Sequence, residues 1–577
     1  MNIRAYDLLI VGAGAAGLKA AIAAKQANHS LKILVVTKKK LENAGVSAQA
    51  LSDRGTYHVA LEYTKPITPE SWRYHSLDIY NTGMKTSRQD LAEILARNGA
   101  ASFYTLADRG VPFVRKDSAY EQFITDGSVY ARACYTGPDT IPLVHKRLLR
   151  EFCRLKIDYL EHTTVAKLVT EGHAVTGAVI YRAESSTFEG VSFNACILAT
   201  GGGCGLFADN AVPAAVNGDG YTLAYDAGAA LANMEFICFG PVSAATKIRL
   251  SGSFFRAIPR LIDENGNEIL RKHLPLEIKR DTTYSLIFSK GANWVATNEH
   301  ISKYIDIAIY KERAAGHKVY MDLMNNPEGF EFDRLPDAVK RTYEAEIRES
   351  VGDRRTRAPI YRLRELNPEI VDCFREHGLD LENGAPLELA ESAQYFLGGV
   401  LIDADARTSM PNLFAAGETA GGQHGANMPG GNAILDTQVF GAIAGRVAAG
   451  QAAIAIHSDN RKLEMAIKKQ TSEGYDIKIN SVVKSKVNKI MQQAFSVVRT
   501  KQGMLEAAQQ LKELDNSDGL DFEARSVLTL AKLIAMACLR RDESRGSHML
   551  FAREMDSDPR PLSVASGYEK MLLLKKE

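Results

Sequence analysis

The sequence predicts an α/β protein made of a discontinuous Rossmann-like domain, an inserted α+β capping domain and a helical C-terminal domain. Three observations carry this expectation. Near the N-terminus a hydrophobic strand runs into a glycine-rich turn and then into a helix, with a second strand beyond it. Two further hydrophobic stretches, at residues 195–203 and 411–418, end in small residues in the same way although they lie far apart in the chain. Between and after them the sequence becomes charged, with apolar positions recurring every three to four residues.

Taken in order, Asp7-Leu-Leu-Ile-Val-Gly-Ala-Gly-Ala-Ala-Gly17 begins as a buried strand over Leu8 to Val11 and turns at Gly12. The helix continues through Leu18-Lys-Ala-Ala-Ile-Ala-Ala-Lys25, and Leu31 to Val36 forms the next strand. This is one βαβ unit of about 30 residues. Ala195-Cys-Ile-Leu-Ala-Thr-Gly-Gly-Gly203 and Pro411-Asn-Leu-Phe-Ala-Ala-Gly-Glu418 supply two more strand ends. Residues 236–340 lose the glycine-marked strand ends and gain charged helical stretches such as Asn298–Ala315. Beyond Gly450, Leu463–Lys469, Ser481–Arg499 and Phe522–Arg541 read as amphipathic helices, and the tail from Asp556 reads as loop. The expected division is therefore 1–235 and 341–450 for the two parts of the nucleotide domain, 236–340 for the capping domain and 451–577 for the helical domain.

Length and composition agree with this plan. A chain of 577 residues has room for about four domain-sized units. With 45% hydrophobic and 24% charged residues it has the composition of a folded protein rather than a disordered one. Its formal net charge is +1, so no single-sign field exists to favour nucleic acid as a main partner. No apolar run approaches the roughly 18 residues needed to span a bilayer, and Met1-Asn2-Ile3-Arg4 leads into a strand rather than a cleavable signal. The expected location is cytoplasmic, or peripheral to a membrane through a partner.

The seven cysteines show no Cys-x-x-Cys pair and are expected to be free thiols, with no iron–sulfur cluster held by this chain. His29, His58 and His75 show no metal-ligand grouping, and no metal is expected. Trp72 and Trp294 read as packing residues, and Lys38-Lys39-Lys40 as a solvated loop with at most one lysine on a cofactor.

Gly12-x-Gly14-x-x-Gly17 points to a dinucleotide. The first glycine makes the tight turn, the second lets the backbone approach a pyrophosphate, and the third lets helix pack closely on strand. The acid that accepts from a ribose 2′-hydroxyl in a plain NAD dehydrogenase is missing, because the second strand ends Val36-Thr37-Lys38-Lys39. A lysine there can meet a phosphate or ribose oxygen instead.

With these motifs the chain resembles the flavoprotein subunit of succinate dehydrogenase and fumarate reductase, a family that includes L-aspartate oxidase. The resemblance rests on Thr37-Lys38, on Gly45-Val-Ser-Ala-Gln-Ala50, on Ala199-Thr-Gly-Gly202, on Asn217-Gly-Asp-Gly220 and on Met234-Glu-Phe236. It continues through Tyr395-Phe-Leu-Gly-Gly399, Ala416-Gly-Glu418, His424-Gly-Ala-Asn427, Gly430-Gly-Asn-Ala-Ile-Leu-Asp436 and Glu543-Ser-Arg-Gly-Ser-His548. These blocks run in the family's order over nearly the whole chain, and they imply FAD as cofactor.

By that resemblance, Gly12, Ala13, Gly14, Ala15, Ala16, Thr37 and Lys38 hold the ADP half, and Val165 meets adenine through its backbone. Gly45, Val46, Ser47 and Gln49, with Ala199, Thr200 and Gly201, complete the cofactor cradle. Asp219, Glu418 and the helix start Asn432, Ala433, Ile434, Leu435 hold the ribityl and isoalloxazine end. A helix N-terminus there stabilises negative charge on the reduced flavin. Ala44 stands where membrane-complex members carry the histidine that bonds covalently to the flavin, so the FAD is expected to be non-covalent.

At the substrate side the resemblance breaks. The family places a histidine in Phe-His-Pro-Thr where this chain has Gly240, another before Tyr-x-Met-Gly-Gly where it has Gln394, and an arginine after His-Gly-Ala-Asn where it has Met428. Loss of a bidentate arginine clamp removes several kcal/mol of charge-assisted carboxylate binding. The expected substrate is therefore larger and less anionic than a C4 dicarboxylate, or is held elsewhere. For proton delivery Arg256 is the first candidate, within one residue of the family's arginine, and Arg260 the second; both are equally readable as surface arginines. His424 keeps its motif, and Gln394 completes the catalytic candidates.

Three readings stay open. One is an FAD-dependent oxidoreductase with hydride transfer at flavin N5 to or from an unidentified small molecule. The second is a fumarate reductase, succinate dehydrogenase or L-aspartate oxidase proper. The third is an electron-relay subunit paired with an iron–sulfur partner protein, with Leu41–Ser52 resembling the adenylylsulfate reductase branch. The sequence leaves the oligomeric state open, a homo-oligomer included.

Overall fold

The computed structural model describes residues 2–293, 295–348, 357–454, 460–473, 477–560 and 571–576. Trp294, expected as a packing residue, lies outside them.

The three glycine-marked strands are neighbours. A five-stranded sheet runs in the order Leu413–Ala415, Ala195–Leu198, Leu8–Val11, Ile33–Val36 and Asp158–Leu160, and every pair is parallel. Val11 stands between Leu198 and Val36, and Leu198 pairs with Ala415 on its other side. The Leu8, Ala195, Leu413 and Ile33 strands are buried along their length, the pattern of a parallel sheet covered on both faces. All their carboxyl ends point to one edge, where open α/β sheets bind ligands. The last strand, Asp158–Leu160, is a sequence omission: it has only three residues and faces solvent on one side, so it carries little hydrophobic signal.

Close packing explains the small residues that follow the first strand. The helix Ala15–Ala27 buries Ala15, Ala16, Ala20, Ala21, Ala23 and Ala24. It lies against the long helix Asn432–Ala452, where Gly445 meets the Ala20 carbonyl and Gly441 the Ala16 carbonyl. A Cβ on Gly445 cannot fit between the two backbones, and one on Gly441 would press on the Ala16 carbonyl oxygen at 3.0 Å.

A second sheet inside the first 235 residues is antiparallel across Thr163–Glu171, Ala174–Arg182 and Thr187–Ser192, with Ile3–Ala5 added in parallel. A third sheet orders Ile237–Ser243, Leu387–Phe396, Val319–Asp322 and Arg260–Asp263, all antiparallel. Its longest strand and the helices Asp337–Glu346, Pro359–Leu366 and Pro368–Glu376 lie wholly or largely beyond residue 340, with Pro359–Leu366 packed on Gly252–Arg256. The expected capping unit thus draws on chain well past its expected end. Those later residues read as a return to the nucleotide domain because the marked blocks near residues 395 and 411 sit so close behind them.

The C-terminal segment is helical at Arg461–Ser472, Ile477–Ala494, Lys501–Asp515 and Phe522–Arg540, and the last of these packs on the helix Asp219–Asp226. The expected helix within Asn298–Ala315 forms at Lys303–Ala314. No helix among the described residues is long and apolar enough to cross a membrane. The seven cysteine thiols are free, five of them buried.

Candidate functional site

A cleft runs along the carboxyl edge of the parallel sheet. The turn after the first strand builds its floor. Gly12 takes φ +107°, and a Cβ there would lie 2.2 Å from the Ala199 carbonyl oxygen, so only glycine lets the turn abut the neighbouring strand end. Gly14 caps the following helix without any side chain, and the Ser47 hydroxyl accepts from the Ala15 amide at 2.8 Å. A helix N-terminus opening onto bare glycine backbone suits a diphosphate.

The cleft gathers most of the sequence-predicted cofactor residues. Gly12, Ala13, Gly14, Ala15, Ala16, Thr37, Lys38, Gly45, Val46 and Ser47 line one half, with Val165. Ala199, Thr200, Gly201, Asp219, Glu418, Ala433 and Ile434 line the rest, and Gln394 joins them. Four predicted residues stand outside the lining. Ala44 is buried, Leu435 is buried against Gly99, and Gln49 is exposed and donates to the Asn43 carbonyl. Asn432 is fully buried, with its side-chain oxygen beside His58 and His75. The cradle fits FAD in backbone character: a nucleotide-binding turn at one end and a helix start at the other.

Lys38 has a partner that the sequence did not suggest. Its ammonium pairs with Asp219 and stands 3.8 Å from Glu523 on the C-terminal helix. Asp219, expected at the ribityl end, is thereby held beside the end of the second strand. Glu523 also pairs with Lys484 at 3.0 Å, so the helical segment closes over this end of the cleft.

At the other end Glu418 is buried, and burial pushes its carboxyl up to about 7, against the Phe396 amide and the Arg249 charge. Its Oε1 accepts from the Phe396 amide at 2.8 Å. Arg249, Gln394 and Tyr395 face the same space. Sequence reasoning missed Arg249, along with Ile141, Val144, Thr164, Val216 and Thr437. The available signal for Arg249 was a lone charge between Ile248 and Leu250, both almost fully buried, in a segment that bridges to Ser52 and to Val242.

The catalytic candidates separate. Arg256 is 8% exposed, pairs with Glu346 at 2.9 Å and lies over the Phe288 ring; it is not among the residues lining the cleft. Arg260 pairs with Glu268 at 3.1 Å and Asp322 at 3.6 Å on the capping sheet, also outside the cleft. Each guanidinium is held there by a carboxylate of its own unit. His424 is also not among the residues lining the cleft; it is buried just behind Tyr395, which does line it, 3.6 Å from an Asp436 carboxylate oxygen and with its ring edge-on to Tyr395 at 6.0 Å. Among the described residues, neither ring nitrogen of His424 has a hydrogen-bond partner, nor do the Gln394 side-chain atoms or the Tyr395 hydroxyl.

The positions where the family carries its other substrate contacts are filled differently. Gly240 lies in the fully buried strand Ile237–Ser243, opposite Ser392. Met428 packs into an apolar cluster with Phe236, Cys238, Val295, Tyr395, Leu397 and Ala426.

Comparison with known proteins agrees with the cleft. Residues 7–434 match the family model described as FAD binding domain. An uncharacterized FAD-dependent oxidoreductase of Methanocaldococcus jannaschii is 25% identical over 94% of this chain and 92% of its own. One subunit of the fumarate reductase (CoM/CoB) of Methanothermobacter marburgensis is 28% identical over 94% of this chain and 93% of its own. Among solved structures, a chain of the Mycobacterium smegmatis Sdh1 complex in the apo form superposes with a TM-score of 0.75 at 24% identity, covering 100% of this chain and 94% of that one.

Proposed function

The chain belongs to the FAD binding domain family, alongside fumarate reductase flavoprotein subunits and L-aspartate oxidases, and is an FAD-dependent oxidoreductase; from that premise we propose that its substrate is a small molecule other than a simple C4 dicarboxylate. The single observation that carries this is Met428 inside its apolar cluster, where a dicarboxylate site would need a cation. Gly240 supports the same reading, since it adds no donor from the neighbouring strand.

Bound FAD supplies a carrier that gives or takes a hydride at N5. The rest is the work of the chain's own groups. Gln394 offers an amide and Tyr395 a hydroxyl toward the substrate, each buried and without a partner among the described residues. The apolar cluster behind Tyr395 excludes water from that wall. Arg256 and Arg260 are engaged elsewhere, which favours His424 as the proton-handling side chain, oriented by Asp436 and adjacent to Tyr395.

The methanogen relative is one subunit of its enzyme and the mycobacterial chain comes from a complex, which supports a partner that exchanges electrons with this chain. The deciding experiment for the substrate is to reduce the FAD-loaded protein chemically, add fumarate and follow the oxidised flavin band. No return within the order of a second, the span of ordinary enzymic turnover, is expected. Rapid return overturns the proposal.

A further inference from the structure

Arg249 is a cation at the Glu418 end of the cleft, away from Lys38 and Lys39. Its backbone is fixed from both sides: its amide donates to the Leu51 carbonyl at 3.2 Å, and its carbonyl accepts from the Asp53 amide at 3.1 Å. The side chain enters the cleft beside Gln394 and Tyr395, and Nη2 donates to the Gln394 carbonyl at 3.2 Å. Its Nε is buried with no hydrogen-bond partner among the described residues. Among those residues, too, no carboxylate stands within ion-pair distance of it, unlike Arg256 and Arg260. Burial lowers its pKa, and Glu418 is the carboxyl group that acts against this, after the Cys204 thiol; but burial keeps that carboxyl partly protonated near neutrality and one of its oxygens is already bonded to the Phe396 amide. A buried guanidinium without a fixed counter-ion calls for an anion from outside.

The geometry points to Arg249 as the anion anchor of the substrate site: it takes one carboxylate or similar singly charged oxyanion, while the remainder of the substrate lies against Gln394, Tyr395 and the Met428 cluster. This rests on the proposed function above and gives it a substrate class, a monoanion with an apolar body. A second carboxylate beside it would meet an amide, a phenol, apolar side chains and the Glu418 carboxyl, while the other cations lining the cleft, Lys38 and Lys39, stand at the nucleotide end, where Lys38 is paired with Asp219.

The test uses the FAD-loaded full chain. Crotonate, its neutral counterpart crotonamide, and fumarate are titrated in turn, and binding is read from the perturbation of the flavin visible spectrum. Crotonate is expected to bind roughly tenfold or more tighter than either of the others. Arg249→Gln should bind crotonate and crotonamide alike, and Arg249→Lys should recover part of the difference. The inference is overturned if crotonate gives no perturbation at concentrations on the order of 100 mM, well above ordinary KM values. It is also overturned if fumarate binds tighter than crotonate, or if Arg249→Gln, refilled with FAD, keeps the wild-type preference. Rapid fumarate turnover by the wild type would remove the functional proposal instead, so the two failures are read from different measurements.

Discussion

His58 Nδ1 lies 2.9 Å from the Asn432 side-chain oxygen, and His75 Nε2 reaches the same oxygen at 3.1 Å. The two rings meet edge to face at 4.5 Å, and all three side chains are fully buried. Asn432 is the first residue of the helix whose start lines the cleft, so two imidazoles from the strand Thr56–His58 and the helix Trp72–Thr82 fix that start in place.

Burial depresses both imidazoles, His58 from 6.5 to about 3 and His75 well below 6.5, with the Arg132 charge helping in each case. A histidine depressed in the folded state stabilises fully above its unfolded value and loses that stability as pH falls through it. Each should therefore add about 1.4 kcal/mol of destabilisation per pH unit below 6.5, over the range in which only the unfolded chain protonates. The double variant H58Q/H75Q should melt lower than wild type near neutrality, yet lose stability less steeply on acidification. An unchanged acid slope in thermal melts would show that these rings are not held neutral.

Glu418 has the opposite sign. Its folded value is raised from 4.5 to about 7, so its contribution is intact below 4.5 and is lost as pH rises toward about 7. In protein stripped of FAD, E418Q should flatten this loss and leave the variant more stable than wild type at about pH 8, by at most about 3 kcal/mol. Denaturant melts at acid and alkaline pH measure it directly. A variant that loses as much stability as wild type between the two pH values would locate the pH dependence elsewhere.

The parts of this site that sequence revealed are those where backbone geometry leaves a residue signature. Gly12, Gly14 and Gly17 are visible because the tight turn and its contact with Ala199 call for glycine. The strand ends at Leu198 and Ala415 are visible because buried parallel strands are runs of apolar residues. Lys38 was legible as a cofactor-end residue, but its pairing with Asp219 and Glu523 depends on a helix nearly 500 positions later in the chain. Arg249 was invisible for a related reason. Nothing in Thr246-Lys-Ile-Arg-Leu250 distinguishes an arginine aimed into a cleft from one in water, and only the bridges to Ser52 and Val242 settle its direction. Arg256 and Arg260, which spacing places near the family's arginine, stand against local carboxylates in the capping unit, a contact that the sequence does not display.

The helix pair behind the cleft gives a purely steric prediction. A Cβ on Gly445 would lie 2.2 Å from the Ala20 carbonyl oxygen, an atom of a buried helix backbone that cannot move alone. G445A should therefore push Ala15–Ala27 away from Asn432–Ala452 and cost about 3 kcal/mol. Because both helices begin at the cleft, the variant should also retain less flavin per protein on purification, read from the ratio of flavin to protein absorbance. In the same helix a Cβ on Gly450 would meet no atom of the described residues within 4 Å, and G450A is the matched control that should behave as wild type.

Restoring the family's arginine at position 428 should fail for the reason that the position changed. The Met428 side chain is 6% exposed and is surrounded by Phe236, Cys238, Val295, Tyr395, Leu397 and Ala426, none of which offers a counter-charge. A guanidinium placed there is desolvated without a partner, and M428R should lose about 3 kcal/mol or more of stability. The conservative swap M428L keeps volume and polarity and should stay within about 1.5 kcal/mol of wild type. M428R should also leave fumarate unable to reoxidise the reduced flavin, because Gly240 still offers no side-chain donor for a second carboxylate contact beside the new arginine. Recovery of fumarate turnover by the single substitution, with stability unharmed, would mean that the apolar cluster opens readily and that the pocket remains a dicarboxylate site in all but one residue.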